Sequence, residues 1–487
     1  MQLQNYFGEF RANTIGYNQV FKTHYGNVKM VYADWTASGR MYGPIENNII
    51  NNFGLFIGNT HTQSSETGML MTQAYHITHQ KIKEHVNADE NDVIITTGSG
   101  MTDVINKLQR IMGLKISEKL RPFADIPEEF KPVVFITHME HHSNQTSWIE
   151  TISDVEVIEP DKNGLIDLDN LKKLLKKYSK RKFKIGSFTA CSNVTGIQTP
   201  YHKMAKLMHQ YGGICFVDFA ASAPYIHMDM HPVDPEEKLD AIFFSPHKFL
   251  GGPASSGVLV FDSELYSNNI PDNPGGGTVD WTDPWGVHKY SSDIEIREDG
   301  GTPGFLQAIK VALCLELKDK MNVENMLKRE KELMEILFNG LENIEGLHIL
   351  AENIRDRLGV LSFYVDNIHY NLLVKILNDR FGVQSRGGFS CAGTYGHHLY
   401  NIDKSTSNKI FHSINSGDLS EKPGWVRFSI HPIMTDEEVD YMVDAVKQTV
   451  KNIKKWQNEY TYEPFSNEFI SIHPPEQENI INEWFKF

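Results

Sequence analysis

Cysteine is scarce. Cys191, Cys215, Cys314 and Cys391 are the only four in 487 residues. No two stand close enough for a CxxC pair, which argues against a zinc ribbon and a thioredoxin-type redox site. So few cysteines in so long a chain suit a reducing compartment better than a disulfide scaffold. No apolar run reaches the roughly 18 residues of a membrane span, so none is expected. The start, MQLQNYFGEF, lacks a basic stretch followed by an apolar one, so no secretory leader is expected, and the location expected is cytoplasmic. Positive charge is in deficit, with 47 Lys and Arg against 62 Asp and Glu, a net charge of −15. General nucleic-acid binding needs a basic footprint and is disfavoured, while a local basic pocket for a small anion is not. The one basic run, Lys172 to Lys184, is interleaved with apolar residues and reads as the solvated face of a helix.

What is present is an alternation. DVIITTG (92–98), PVVFITH (132–138), KIGSFTA (184–190), GICFVDFA (213–220), AIFFS (241–245) and SGVLVF (256–261) are short, β-branched or aromatic, and mostly apolar on both faces. They read as strands of a buried sheet. Amphipathic segments lie between several of them, such as Tyr201 to Gly212 with its glycine stop. The pattern implies an α/β fold with a mainly parallel sheet. After Gly304 it changes. A long helical stretch runs from Phe305 through the 340s. Strand-like 359–365, a helix at 371–382 and strand-like 424–432 follow. A final helix opens on Thr435 with Glu438 three residues on, a capping box. This part reads as a smaller α+β domain. The tail after residue 453 is rich in Phe, Tyr and Trp and is expected to dock rather than stay disordered.

Several stretches carry chemistry. Lys248, in FFSPHKFLGG, follows a strand end, where α/β sheets bind ligands. A lysine there is a candidate Schiff-base former or simply a solvated side chain. Asp218 ends an apolar strand, and a buried carboxylate needs a partner, either a protonated ring nitrogen or structural donors. Glu140, His141 and His142 follow another strand. Metal binding is the weaker reading, since HxxxH spacing is missing; proton transfer and stacking on an aromatic ring are the others. In TTGSGMTDVIN a glycine turn opens a helix, a setting that suits a phosphate. It is not GxxxxGKS, so a nucleoside triphosphate is disfavoured. Finally, RGGFSCAG places Cys391 among glycines and small residues, five positions after Arg386. The glycines Gly387, Gly388 and Gly393 suggest a mobile loop around the thiol.

In this order the motifs resemble those of the fold-type I pyridoxal-phosphate enzymes of aminotransferase class V, and most closely the cysteine desulfurase and selenocysteine lyase group. The resemblance runs from YADWTASGRMYGP to about Ile453. It implies a large domain, 29–304, with a mainly parallel seven-stranded sheet sandwiched by helices. It also implies an N-terminal segment, 1–28, joined to a smaller domain at 305–453, leaving 454–487 as the docked tail. The expected cofactor is pyridoxal 5′-phosphate and the expected substrate an amino acid. The chain is expected to pair as a homodimer and to hand sulfur to an acceptor protein.

Residue by residue, the resemblance implies that Lys248 is the Schiff-base lysine and that Ser245 and His247 bind phosphate. Met101 and Thr102 match the turn that cups it. His141 matches the imidazole stacked on the ring, Asp218 the acid at the ring nitrogen, and Asn193 the residue beside the ring oxygen. Thr278 matches a phosphate contact given to the partner's site. Arg427 matches the clamp on the substrate carboxylate, Arg386 the arginine before the catalytic cysteine, and Cys391 the sulfur-accepting nucleophile. No metal is expected. Three departures stand out. Ala221 replaces a usual glutamine, Phe389 and Ser390 replace a usual histidine pair, and 392–424 is long. The alternatives are a class V aminotransferase, epimerase or hydrolase in which Cys391 only lines the pocket, and an inactive scaffold of the same fold.

Overall fold

The computed structural model describes residues 2–473 and 478–486. The chain divides into two compact units, one of residues 13–15 and 36–327, the other of 1–12, 16–35 and 328–487. Helix α5 (Phe305–Met321), expected to open the smaller domain, belongs to the first unit, where it packs against α1 (Glu66–His85). The long helix expected from Phe305 onward is broken at Asn322, whose φ of +61° lies in the left-handed region, and a second helix starts at Val323.

The first unit is built on seven strands: β1 (Asp92–Thr97), β2 (Val133–Thr137), β3 (Asp154–Ile158), β4 (Lys184–Thr189), β5 (Ile214–Asp218), β6 (Ala241–Phe244) and β7 (Gly257–Asp262). Their order is β1-β7-β6-β5-β4-β2-β3, and only β7 runs against the rest. The apolar runs read as strands are all present. They form because β-branched and aromatic side chains fit a sheet buried on both faces. Strand β3 escaped the reading from sequence, since it lies at the sheet edge and its DVEVI is only partly buried. One face of the core packs Ile136, Ile185, Phe216, Phe243 and Leu259 with Val104 and Leu108 of α2 (Met101–Ile111) and Trp148 of α3 (His142–Ile149). Helix α4 (Tyr201–Gln210) buries Met204 and Met208 and stops before Gly212, at φ +68°. Among the described residues, no helix is long and apolar enough to cross a membrane.

In the second unit, four antiparallel strands lie in the order β8-β9-β11-β10: β8 (Leu347–Ile349), β9 (Val360–Val365), β10 (Arg386–Gly388) and β11 (Trp425–Ser429). A two-residue strand, Val31–Tyr32, pairs in parallel with Val383–Gln384. Helix α6 (Tyr370–Phe381) ends at Gly382, with φ +71°; a Cβ there would lie 2.1 Å from Lys29 O, so only glycine fits. The long 392–424 segment folds into α7 (Gly393–Leu399) and α8 (Lys404–Asn415). Helix α9 (Asp436–Trp456) opens on the expected Thr435–Glu438 capping box. Past it, β12 (Tyr460–Glu463) and β13 (Glu468–Ser471) form a hairpin whose Tyr460 and Phe469 pack on Leu372 and Ile376 of α6. The remainder of the tail at 474–477 and residue 487 lies outside the described residues.

His431, just after β11, is buried and stacks on Trp35 with ring centroids 4.2 Å apart. Burial pushes its pKa down to about 3. The folded chain therefore binds fewer protons here than the unfolded chain between about pH 3 and 6.5. The residue's contribution is present above that window and is lost as pH falls through it, at up to about 1.4 kcal/mol per pH unit. His431→Asn keeps a side-chain acceptor for the Ile433 amide. Urea unfolding between pH 4.5 and 7 is expected to show the variant losing less stability on acidification than the parent.

Candidate active site

The parallel register gathers strand ends at one edge of the first unit. Thr189, the last residue of β4, is the partner of Asp218, the last of β5, and Asp218 is in turn the partner of Phe243. Thr97, ending β1, pairs with Gly257, which begins the reversed β7. The strand ends, and the loops and helix starts that follow them at this edge, carry Met101, Thr102, His141, Asn193, Asp218, Ser245, His247 and Lys248. An edge of carboxyl ends is where such sheets bind ligands.

Around α2 the loop is tightly determined. Gly98 has φ +59°, and a Cβ there would lie 2.2 Å from Asp103 Oδ2. The Met101 amide donates to Ser245 Oγ at 2.8 Å, and Thr102 Oγ1 lies 2.7 Å from Ser143 Oγ at the start of α3. The turn Pro246–Lys248 is clamped from outside. Gly39 N–H donates to His247 O at 2.8 Å, and a Cβ on Gly39 would stand 1.8 Å from Phe249 O. Burial, then the charge of Lys248, pushes the His247 pKa down to about 4.

Glu140, given no role of its own in the sequence reading, is fully buried and organises the middle of the edge. Its Oε1 accepts from Thr137 N–H at 3.1 Å, Thr137 Oγ1 at 2.7 Å and Thr189 N–H at 2.8 Å. Its Oε2 accepts from Asn144 Nδ2 at 2.8 Å. One carboxyl thus joins the ends of β2 and β4 to the first turn of α3. His141 follows directly and caps α3, its Nδ1 accepting from Ser143 N–H at 3.1 Å. Burial raises Glu140 to about 8 against those donors, with the charge of Asp218 adding to the rise.

Asp218 is also buried, and its Oδ1 accepts from the Ala220 amide at 2.8 Å. Burial raises its pKa to about 6, opposed by that bond and by the charge of Lys248. A cation set against it would restore full ionisation, which suits the protonated ring nitrogen of pyridoxal phosphate. The α2 turn suits the phosphate. A Cβ at Gly100 would lie 2.9 Å from Ser245 Oγ and 3.4 Å from the His247 ring, so the glycine keeps open the space in front of these groups. The residues present therefore fit the group. Thr278 lies in a turn where its hydroxyl donates to Gly275 O at 2.7 Å.

The second unit holds the other candidates. Arg386 and Arg427 face each other in register on β10 and β11. Both bond Asp34, an acid that drew no attention in the sequence although it stands in YADW at the start of the family resemblance. Of the four cysteines, Cys191, Cys215 and Cys314 are buried and Cys391 is exposed. Burial pushes the Cys314 thiol up to about 12. The glycines around Cys391 flank a short turn. Gly387 and Gly388 belong to β10 and Gly393 begins α7. Between them Ser390 and Cys391 take φ +50° and +57°, rare for non-glycine residues. Trp425 Nε1 donates to Ser390 Oγ at 3.2 Å, and Phe389 stacks on Trp425 at 5.1 Å. His397 bonds Gly393 O and Ser407 Oγ, which gives it a packing role.

Glu140→Ala would strip the acceptor from four buried donors. It is expected to cost about 3 kcal/mol or more in chemical denaturation. Glu140→Gln, which keeps the oxygen that serves three of the four, is expected to cost clearly less.

Residues 31–442 match the family described as aminotransferase class-V. A protein of Staphylococcus epidermidis named probable cysteine desulfurase is 29% identical over 430 residues, covering 87% of this chain and 92% of its own. A protein of the same name from Staphylococcus aureus is 27% identical over 428 residues, covering 86% and 92%. In structure, the chain is similar to the apo cysteine desulfurase of Thermococcus onnurineus, with a TM-score of 0.71, 21% identity, and 91% and 98% of the two chains covered. The cysteine desulfurase CsdA of Escherichia coli gives a TM-score of 0.71 at 22% identity over the same shares. These likenesses agree with the seven-stranded, mostly parallel sheet, and the span of the family match shows that the chain belongs to the aminotransferase class-V family of enzymes.

Proposed function

We propose that the protein is a pyridoxal-phosphate enzyme that removes sulfur or selenium from cysteine or selenocysteine, with Cys391 as the nucleophile. The family is pyridoxal-phosphate-dependent and its substrates are amino acids. The observation that carries the finer reading is the exposure of Cys391, alone among the four cysteines, in a turn directly after the strand that pairs Arg386 with Arg427. The names of the relatives support the same reading.

When bound, the cofactor draws electrons from the substrate carbon framework. Lys248 would be the amine that carries it and would move the proton at the substrate Cα. Asp218 would hold the ring-nitrogen proton, and His141 would stack on the ring. Asn193 would bond the ring oxygen. Met101 and Thr102, with Ser245 and His247, would hold the phosphate, and Thr278 would be supplied to the partner's phosphate by a second copy of the chain. Arg427 and Arg386 hold the α-carboxylate, since a guanidinium fork matches its two oxygens. The Cys391 thiolate attacks the substrate sulfur. An S–S bond forms as the Cβ–S bond breaks, the electron pair stays with the carbon framework, and protonation there yields alanine. An acceptor protein's thiolate then takes the outer sulfur, the S–S bond to Cys391 breaks, and the Cys391 thiolate is restored. Exposed Trp281, Trp285, Leu55 and Ile57 on the first unit support pairing with a second copy.

Incubation of the cofactor-loaded protein with cysteine is expected to release alanine and sulfide in equal amounts under a thiol reductant. Cys391→Ser is expected to keep the visible absorption of the bound cofactor and lose turnover by roughly a thousandfold or more. Unchanged turnover would remove the nucleophile from the reading, and a keto-acid product would replace it with transamination. Lys248→Ala is expected to lose the visible absorption that reports the covalent lysine link; an unchanged spectrum would count against the lysine assignment.

A further inference from the structure

Antiparallel partners on neighbouring strands project to the same face, so Arg386 and Arg427 stand side by side with like charge. Such a pair is destabilising unless something neutralises it. Asp34 does so from within the chain. Its Oδ1 accepts from Arg427 Nη2 at 2.8 Å, and its Oδ2 accepts from Arg386 Nε at 3.0 Å, with Arg386 Nη2 also at 3.0 Å. The carboxylate is therefore a bridge with one oxygen on each guanidinium. The backbone of the preceding residue, Ala33, is held on both sides: Ser429 N–H donates to Ala33 O at 2.7 Å, and Ala33 N–H donates to Gln384 O at 2.9 Å. Both contacts come from segments next to the arginines. Arg427 and Asp34 are buried, while the Arg386 side chain is about half exposed, at 51%. Two guanidiniums and one internal carboxylate leave a single net positive charge for a ligand.

We propose that Asp34 is a specificity-determining residue, whose carboxylate occupies one share of the arginine pair so that the pair accepts one ligand carboxylate and rejects dicarboxylates. This rests on the reading that Arg427 and Arg386 bind the substrate carboxylate. A substrate with a second carboxylate, such as an acidic amino acid, finds no spare cation and meets the charge of Asp34. A substrate with a small uncharged side chain meets no such penalty. Removing the acid would leave two cations for a ligand with two anions.

Calorimetric titration of the full-length, cofactor-loaded protein with propionate and with succinate tests this without turnover. In the parent, propionate is expected to bind at least as well as succinate. In Asp34→Ala, the preference is expected to shift toward succinate by about tenfold or more. Asp34→Asn, which keeps the shape and loses the charge, is expected to shift it the same way by less. An unchanged ratio in folded variants would overturn the proposal and leave Asp34 a structural acid; unfolding of both variants would do the same. Arg427→Ala separates the two levels. If it leaves propionate binding intact, the carboxylate site itself is wrongly assigned. If it abolishes that binding while the Asp34 variants keep the parental ratio, only the role of Asp34 falls.

Discussion

One buried carboxyl governs the carboxyl edge of the sheet. Strand ends expose amides that the ladder no longer satisfies, and these amides must find acceptors when buried. At β2 and β4 the acceptor is Glu140, which also takes the Asn144 side chain. Asn144 in turn receives Trp148 Nε1 at 3.1 Å and Ser187 Oγ at 2.6 Å, which draws α3 and the middle of β4 into the same network. The orientation of His141 follows from this, because its neighbour is fixed on one side and α3 on the other. A carboxyl with four donors favours its ionised form, yet complete burial raises its pKa to about 8. Desolvation outweighs hydrogen bonding here. That makes the network sensitive to charge, and the nearby Asp218, also raised, adds to the same pressure.

The second unit solves the opposite problem by similar means. There the concentrated charge is positive, and the answer is again a side chain from a distant part of the sequence. Asp34 and Arg427 are 393 positions apart. Burial lowers the pKa of Arg427 while the Asp34 charge and hydrogen bond oppose the fall, which is the balance expected of an ion pair out of water. Loss of one partner in such a pair costs more than the pair itself contributes, because a buried charge is left alone. Ion pairs of this sort give strong reasons to keep both ends and weak reasons to credit the pair with stability.

The legible parts of the sequence were those written locally. Short apolar runs declared six of the seven strands, and the Thr435–Glu438 capping box declared the start of α9. Strand β3 was not legible, because an edge strand needs less apolar surface and DVEVI carries two acids. The break at Asn322 was missed because helical periodicity continues on both sides of it. The loops at the carboxyl edge were legible through their residue types and order, given the family resemblance. Asp34 and the acceptor role of Glu140 were not legible from spacing, since each acts on residues that only the folded chain brings near.

The Cys391 turn shows how far composition can mislead about which residues bend the chain. Three glycines around a cysteine suggested freedom, but those glycines are committed to β10 and α7. The residues that bend are Ser390 and Cys391, neither of which tolerates the left-handed region as glycine does. Strain of this kind persists only where surroundings over-determine it, and here they do: the Trp425 indole holds Ser390 and its face holds Phe389. Trp425 itself is buried and belongs to β11, two residues before Arg427. The thiol is therefore displayed by a turn anchored to the strand that carries the arginine.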